Sequence, residues 1–198
     1  MKAVLISIQP KWCELIASGK KTVEVRKTKP KLETPFKVYI YCTKGKPLMK
    51  TAGNSCFIDN EYRQGENLYG LYELVNGKVI GEFVCEDITD IRYHEAADGY
   101  AVGMSHPLCD FFAESTCLKY EELHKYLQGN KGYGWHISDL VIYDKPRELS
   151  EFRTPCKMRE MLCGICDYAV HGMDGDLIDC NTSLERPPES WCYVEVSE

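Results

Sequence analysis

The feature that most constrains this chain is residues 19 to 26, where a short helix ends and a charged strand begins without a spacer. Residues 10 to 18 predict the helix, because they open with a proline, which suits a first helical turn, and carry an apolar stripe. Gly19 follows directly, and glycine is the residue type that most often ends a helix in the left-handed conformation. The helix end therefore sets where the charged strand begins.

The strand shows a two-residue alternation of apolar and polar side chains. Successive side chains of a strand point to opposite faces, so Val23 and Val25 are predicted on the core face. The polar residues Thr22, Glu24 and Arg26 are predicted to converge on the other face, which is expected to face a ligand, with Lys21 at the start of the strand.

Charge is distributed unevenly along the sequence, whose formal net charge is -6. The first 50 residues hold 12 lysines and arginines against three acids, whereas the rest of the chain holds 12 against 27. The basic part, with tyrosines interleaved, would suit an RNA backbone and stacked bases, although a solvated basic face is the alternative interpretation. The acidic part is compatible with a basic protein partner.

Composition indicates an ordinary globular protein of one domain with a small appendage, since the chain has 198 residues and 44% hydrophobic content. No apolar run reaches the roughly 18 residues of a membrane span, and no signal peptide is recognisable, so we expect a cytoplasmic protein without membrane contact. Eleven cysteines without a secretory signal indicate reduced thiols or metal ligands rather than a disulfide framework.

Alternation and turn residues predict the other elements. The candidate strands are residues 3–8, 21–27, 36–42, 71–75, 79–85 and 139–143, with Asn76-Gly77 as a hairpin turn. Residues 94–104 and 119–128 are predicted to be short helices. This number of strands suits a small barrel.

The spacing Gly-x-Lys-x-x-Glu-x-Arg is carried by Gly19, Lys21, Glu24 and Arg26, and it resembles the signature of the ASCH domain family. Further segments are similar to bacterial and prophage members: residues 38–44, 134–140, 146–152 and 186–195. The resemblance implies an α+β, PUA-like fold, in which a mixed β-barrel is flanked by short helices, and it implies an RNA-related role. We assign this domain to residues 1–145, and predict a small cysteine-rich extension over residues 146–198, where the composition changes.

An RNA-binding module is the first function that the resemblance implies. In it Lys21 and Arg26 bind phosphate oxygens, while Glu24 orients a base or pairs with Arg26. The residues predicted to contact nucleic acid are Lys20, Lys21, Arg26, Tyr39, Tyr41, Lys44 and Ser138.

A hydrolase is the alternative. In the ASCH amidohydrolases that deacetylate acetylcytidine, a lysine at the position of Lys21 activates a threonine three residues on, but this chain has Glu24 there, and a carboxylate does not form the same ester. Thr22 or a water activated by Lys21 would then be the nucleophile, with Glu114 as the assisting acid. A ribonuclease would use Lys21, Tyr41, Lys44 and Ser138, with His136 supporting a loop.

The C-terminal cysteines predict a structural zinc site. Cys163 and Cys166 have the two-residue gap that lets two thiolates share one tetrahedral ion, and Cys156 and Cys180 would complete the set. Cys192 and His171 remain alternative ligands, and packing of reduced thiols remains the alternative to zinc.

Overall fold

The computed structural model describes residues 2–52, 55–58, 73–96, 99–104, 109–155 and 183–195. In chain order the elements are β1 (Lys2–Ile8), α1 (Pro10–Ala17), β2 (Val23–Arg26), β3 (Phe36–Cys42), β4 (Met49–Ala52), β5 (Ser55–Ile58), β6 (Glu73–Leu74), β7 (Val79–Ala96), β8 (Gly99–Met104), α2 (Cys109–Thr116), α3 (Tyr120–Leu127), β9 (Gly132–Arg147), a 3-10 turn (Leu149–Glu151) and β10 (Trp191–Glu195).

One mixed sheet dominates the fold. Its strand order is β10-β1-β3-β7-β9-β2, with β8 paired to β7. Strands β1 and β3 are parallel, and the other neighbours are antiparallel. Strands β4, β5 and β6 form a separate three-stranded sheet. The predicted α+β class, a mixed sheet with short helices, is confirmed.

The main sheet curls so that its two edges approach each other. The long strands β7 and β9 change register at three places, and such bulges bend a sheet. The indole nitrogen of Trp191 in β10 donates to the hydroxyl of Thr28, just after the opposite edge strand β2, at 3.0 Å. The amide of Lys31 donates to the hydroxyl of Tyr193 at 2.8 Å. Side chains thus close the barrel-like sheet where backbone pairing ends.

Three apolar clusters stabilise this arrangement. The largest lies inside the curled sheet and includes Ile6, Ile40, Phe83 and Trp135, all at most 1% exposed. A second cluster covers the other face of β1 and β3. The third packs helix α3 against strand β2.

Strand β2 is buried on both faces, which differs from the predicted single core face. Val23 and Val25 pack outward under Leu123 and Leu127 of α3. Glu24 pairs in register with Trp135, so it shares the interior face of the sheet. The alternation is as predicted, but the polar side chains, not the valines, point into the barrel.

The predicted helix over residues 94–104 is wrong. Strand β7 continues to Ala96, and β8 begins at Gly99, with these two residues paired across a two-residue connection. Hairpin pairing satisfies the backbone of this segment, and it overrides the local sequence preference. The helix predicted over residues 119–128 is present as α3.

The last strand joins the C-terminal extension to the main sheet. Strand β10 pairs antiparallel with β1, so that Lys2 lies opposite Glu195. The backbone of Arg153 also forms an isolated antiparallel β-bridge with Glu195. Part of the extension predicted over residues 146–198 therefore completes the sheet of the domain predicted over residues 1–145. Within the part of the chain that the structure describes, no helix combines the length and the apolarity needed to span a membrane.

A polar network lies on the outer face of β3, β7 and β9. Lys37 Nζ and the hydroxyl of Tyr143 each donate to the Glu82 carboxylate at 2.6 Å. Burial alone would raise the pKa of Glu82, but these hydrogen bonds lower it below its usual range. The carboxylate ties together three neighbouring strands.

We expect the Glu82→Gln substitution to reduce the free energy of unfolding at pH 7 by about 1–2 kcal/mol, because it weakens two hydrogen bonds to a charged acceptor. The folded pKa is lowered, so this contribution is present above the usual glutamate pKa of about 4.3 and is lost as the pH falls through the folded value. Urea denaturation from pH 7 to pH 3 measures it. The control variant is Glu86→Gln, because Glu86 is exposed. A loss of unfolding free energy in Glu82→Gln that grows as the pH falls would contradict the assignment.

Candidate functional site

A cleft of about 460 Å³ opens where β1, α1, β2, α3 and the C-terminal segment meet. Its walls are formed by Ser7, Ile8, Gln9, Trp12, Lys21, Glu24, Val25, Arg26, Thr43, Leu118, Glu122, Tyr126, Glu189 and Ser190. Three residues of the predicted motif therefore line one cavity.

The helix-to-strand junction places these residues. Gly19 has φ of 71°, a left-handed conformation that glycine adopts without strain, and the amide of Lys21 then donates to the carbonyl of Leu15. The amide of Thr22 donates to the carbonyl of Ser115. These bonds fix the start of β2 between α1 and α2, and residues 18–22 connect α1 to β2 where the sequence predicted no spacer.

Lys21, Glu24 and Arg26 form a buried ionic triad. Lys21 Nζ lies 3.3 Å from one carboxylate oxygen of Glu24, and an Arg26 terminal nitrogen lies 3.0 Å from the other. None of the three side chains is more than 9% exposed. Both cations share one carboxylate, which leaves the triad a net formal charge of +1, whereas the sequence assigned Lys21 and Arg26 to phosphate oxygens.

Backbone carbonyls complete the triad. Lys21 Nζ donates to the carbonyl of Thr116 at 2.6 Å, and Arg26 donates to the carbonyl of Ser7 at 2.7 Å. The Nε atom of Arg26 is buried and has no partner among the described residues. A buried donor without a partner costs free energy, so an acceptor that reached this nitrogen would recover that cost.

Two aromatic rings flank the triad. Trp12 is half-buried, and Tyr126 is 38% exposed. Lys21 Nζ lies 5.2 Å from the Trp12 ring centroid, on the inner side of the cleft. The exposed Lys11 and Lys27 hold their ammonium groups 4.4 Å from Trp12 and 5.3 Å from Tyr126, respectively. Free positive charge is therefore at the rim.

The lining of the cleft is not basic. Two cations, Lys21 and Arg26, face three acids, Glu24, Glu122 and Glu189, so the formal charge of the lining is negative. Glu122 is also 3.8 Å from Lys11. In place of the predicted basic cleft, the structure has a lining of formal charge −1 with lysines outside it.

The C-terminal segment forms one wall of the cleft. Ser7 of β1 donates its hydroxyl to the carbonyl of Pro188 at 2.6 Å, and its amide to the carbonyl of Ser190 at 2.9 Å. The backbone on both sides of Glu189 is therefore held by hydrogen bonds to Ser7. Sequence analysis missed Glu189, Trp12 and Tyr126 as lining residues, because only tertiary contacts bring them together; the resemblance of residues 186–195 to other members was the one available signal.

Tyr39 and Tyr41 do not lie at the cleft. They are 4% and 1% exposed, and they pack with Phe152 and Leu149 in the second apolar cluster. Burial raises the pKa of both hydroxyl groups above the ordinary value. Rings buried in this way offer no face for stacking on a base.

The other predicted site residues are also outside the cleft lining. Ser138 donates to the carbonyl of Val84 at 3.1 Å, and His136 contacts the hydroxyl of Thr89 at 2.7 Å. The remaining ones are exposed on the surface: Lys20, Thr22, Lys44 and Glu114. Of the predicted catalytic set, the cleft thus contains Lys21 and Glu24 only.

The predicted zinc ligands Cys156, Cys163, Cys166 and Cys180, and the alternative ligand His171, lie outside the described residues. Cys192 packs against the second apolar cluster, and burial raises its pKa to about 11. A thiol with this pKa is protonated at neutral pH, which suits a packing role. The zinc site stays a prediction.

Comparisons with known proteins give one family. A sequence profile of the ASCH domain matches residues 6–144, more than half of the chain. No curated protein matches. Among solved structures, an ASCH protein from Zymomonas mobilis is 17% identical, with 98% of this chain and 87% of that one covered and a TM-score of 0.47. A tyrosine-to-phenylalanine variant of that protein is 20% identical, with 75% and 77% covered and a TM-score of 0.46.

We expect Glu24→Gln to lower the free energy of unfolding by about 3–5 kcal/mol, because it leaves two buried cations without their counter-charge. Guanidinium denaturation at pH 7 measures this loss. Glu86→Gln is the matched control, since Glu86 is exposed, and a change there is expected to stay within about 0.5 kcal/mol. Equal midpoints for the two variants would show that the triad does not stabilise the fold.

Proposed function

The chain belongs to the ASCH domain family, which supports an RNA-related role in general, and on this premise we propose that it binds single-stranded RNA at the cleft. The cleft takes one unstacked nucleotide, while neighbouring phosphates contact the lysines at its rim. Proteins that recognise single-stranded RNA commonly splay out a base and stack it on aromatic side chains.

The observation that carries the proposal is the ionic triad at the inner end of a nucleotide-sized cleft that has two aromatic walls. A volume of about 460 Å³ lies within the range of about 300–1,000 Å³ for small-molecule sites. Lys21, Glu24 and Arg26 offer fixed donors and an acceptor, and fixed polar groups of this kind set the orientation of a ligand. Trp12 and Tyr126 supply apolar surface on the way in.

Rim electrostatics support binding to a polyanion. Lys11 and Lys27 are exposed, and they lie beside the two aromatic walls. Lysines that neutralise phosphates release counterions, so the affinity depends on salt. The rest of the acidic chain would repel RNA, which restricts binding to this rim.

A hydrolase is the second candidate, and the 3.3 Å contact between Lys21 and Glu24 favours it. In this mechanism Glu24 takes a proton from a water in the cleft, and the charge of Lys21 stabilises the oxyanion that forms. Thr22 and Glu114 take no part, since neither lines the cleft. Mass spectrometry of RNA and of acetylcytidine after incubation separates the candidates: shortened RNA means a ribonuclease, released acetate an amidohydrolase, and unchanged compounds a binding module.

We expect the double variant Lys11→Ala plus Lys27→Ala to reduce the salt dependence of RNA binding. The slope of the logarithm of affinity against the logarithm of salt concentration is expected to fall by about 1.4, since each phosphate contact to a single strand contributes about 0.7. Fluorescence anisotropy with a labelled single-stranded RNA measures the slope. The control Lys2→Ala plus Lys145→Ala removes two exposed lysines, of which Lys2 lies at the far end of β1 from the cleft. Equal slopes for both double variants would contradict the rim assignment.

We expect Tyr126→Ala to weaken RNA binding by about 1–3 kcal/mol, the usual contribution of one stacked base. Tyr126 is 38% exposed, so its removal leaves the fold intact. The same anisotropy titration measures the loss, and the salt slope stays at the native value because no charge changes. RNA affinity that is unaffected by Tyr126→Ala would place the bound RNA elsewhere.

A further inference from the structure

Glu189 is the acid of the cleft that comes from outside the segment matched by the family profile, which ends at residue 144. Its two neighbours, Pro188 and Ser190, both accept hydrogen bonds from Ser7. The backbone around Glu189 is thus fixed to β1, and its exposed side chain stays with the cleft wall. The carboxylate of Glu189 therefore contributes a negative charge to the lining that any entering ligand meets.

The cations inside the cleft already share one carboxylate, which leaves the triad one net positive charge. Glu24 pairs with both Lys21 and Arg26, at 3.3 and 3.0 Å. Glu122 and Glu189 add two further negative charges to the lining. They bring the formal charge of the whole lining to −1, so a phosphate group that entered would meet a net negative lining.

The free donor at the inner end of the cleft fits an uncharged ligand. Arg26 is 8% exposed, and its Nε atom is buried without a partner among the described residues. A carbonyl oxygen or ring nitrogen of a nucleobase accepts such a hydrogen bond without bringing a negative charge inside. Phosphates have better partners outside, at Lys11 and Lys27.

We infer that the cleft admits the nucleobase and excludes phosphate, and that Glu189 is a specificity-determining residue for this discrimination. The inference rests on the proposed RNA binding. It assigns an orientation, in which the base lies inward and the phosphate lies at the rim.

The test compares two fragments of a nucleotide. Nucleosides carry a base without phosphate, and ribose 5-phosphate carries phosphate without a base. Both are titrated at millimolar concentration into the ¹⁵N-labelled full chain, with the Trp12 indole signal as the readout of the cleft. The chain has three tryptophans, so a Trp12→Phe variant assigns the signal. For the native protein we expect at least one of cytidine, uridine, adenosine and guanosine to bind more tightly than ribose 5-phosphate.

The Glu189→Gln variant keeps the shape of the side chain and removes its charge. We expect it to bind ribose 5-phosphate about two- to five-fold more tightly than the native protein does, as for a single exposed charge interaction, so that the preference for nucleosides over ribose 5-phosphate narrows. Glu86→Gln is the matched control, because it makes the same charge change at an exposed position outside the cleft lining, and it is expected to change neither affinity.

Three outcomes would overturn the inference: tighter binding of ribose 5-phosphate than of every nucleoside, a Trp12 signal that no compound moves, or equal effects of Glu189→Gln and Glu86→Gln. The RNA titration separates this failure from failure of the proposed function. RNA binding that depends on Tyr126 and the rim lysines, together with any of these outcomes, removes only the base-inward orientation. Absence of RNA binding removes the function itself.

Discussion

The carboxylate of Glu24 is the interaction on which the rest of the structure depends. It forms ion pairs with both Lys21 and Arg26 in the interior of the sheet, and each cation is also bound to a backbone carbonyl of another element. Through these bonds, the four-residue edge strand β2 is attached to α2 at Thr116 and to β1 at Ser7. A short strand with few backbone partners is thereby held across the opening of a barrel-like sheet.

Orienting a ligand and attracting a polyanion are two physical tasks, which the sequence assigned to one motif and which this arrangement separates. Lys21, Glu24 and Arg26 form ion pairs with one another, so they serve mainly as a rigid polar surface rather than as a source of free positive charge. The exposed lysines around the cleft retain the second task, because solvent keeps them charged and such charges attract a polyanion over a Debye length of about 10 Å. Affinity and orientation can then be set by different residues, Lys11 and Lys27 for the former and Arg26 for the latter.

Local patterns predicted the parts of the fold that depend on neighbouring residues. Gly19 ends α1 in the left-handed conformation, and the alternation after it gives β2, as expected. A pattern of period two does not show which face of a strand points inward. The inward position of Glu24 depends on α3, which lies about 100 residues later in the chain and covers the opposite face of β2. Tyr39 and Tyr41 are buried by residues near position 150, a contact that no local signal contains. The cleft wall at Glu189 is likewise a product of long-range pairing.

The pairing of the first strand with the last has a consequence for biosynthesis. Strand β1 leaves the ribosome long before its partner β10, which ends at residue 195. Ser7 donates to the carbonyls of Pro188 and Ser190, which are synthesised more than 180 residues later. At about 5–20 residues per second, translation leaves β1 without this neighbour for roughly 10 seconds or more. The nascent chain therefore carries an incomplete cleft until residues 188–195 have left the ribosome and bound β1.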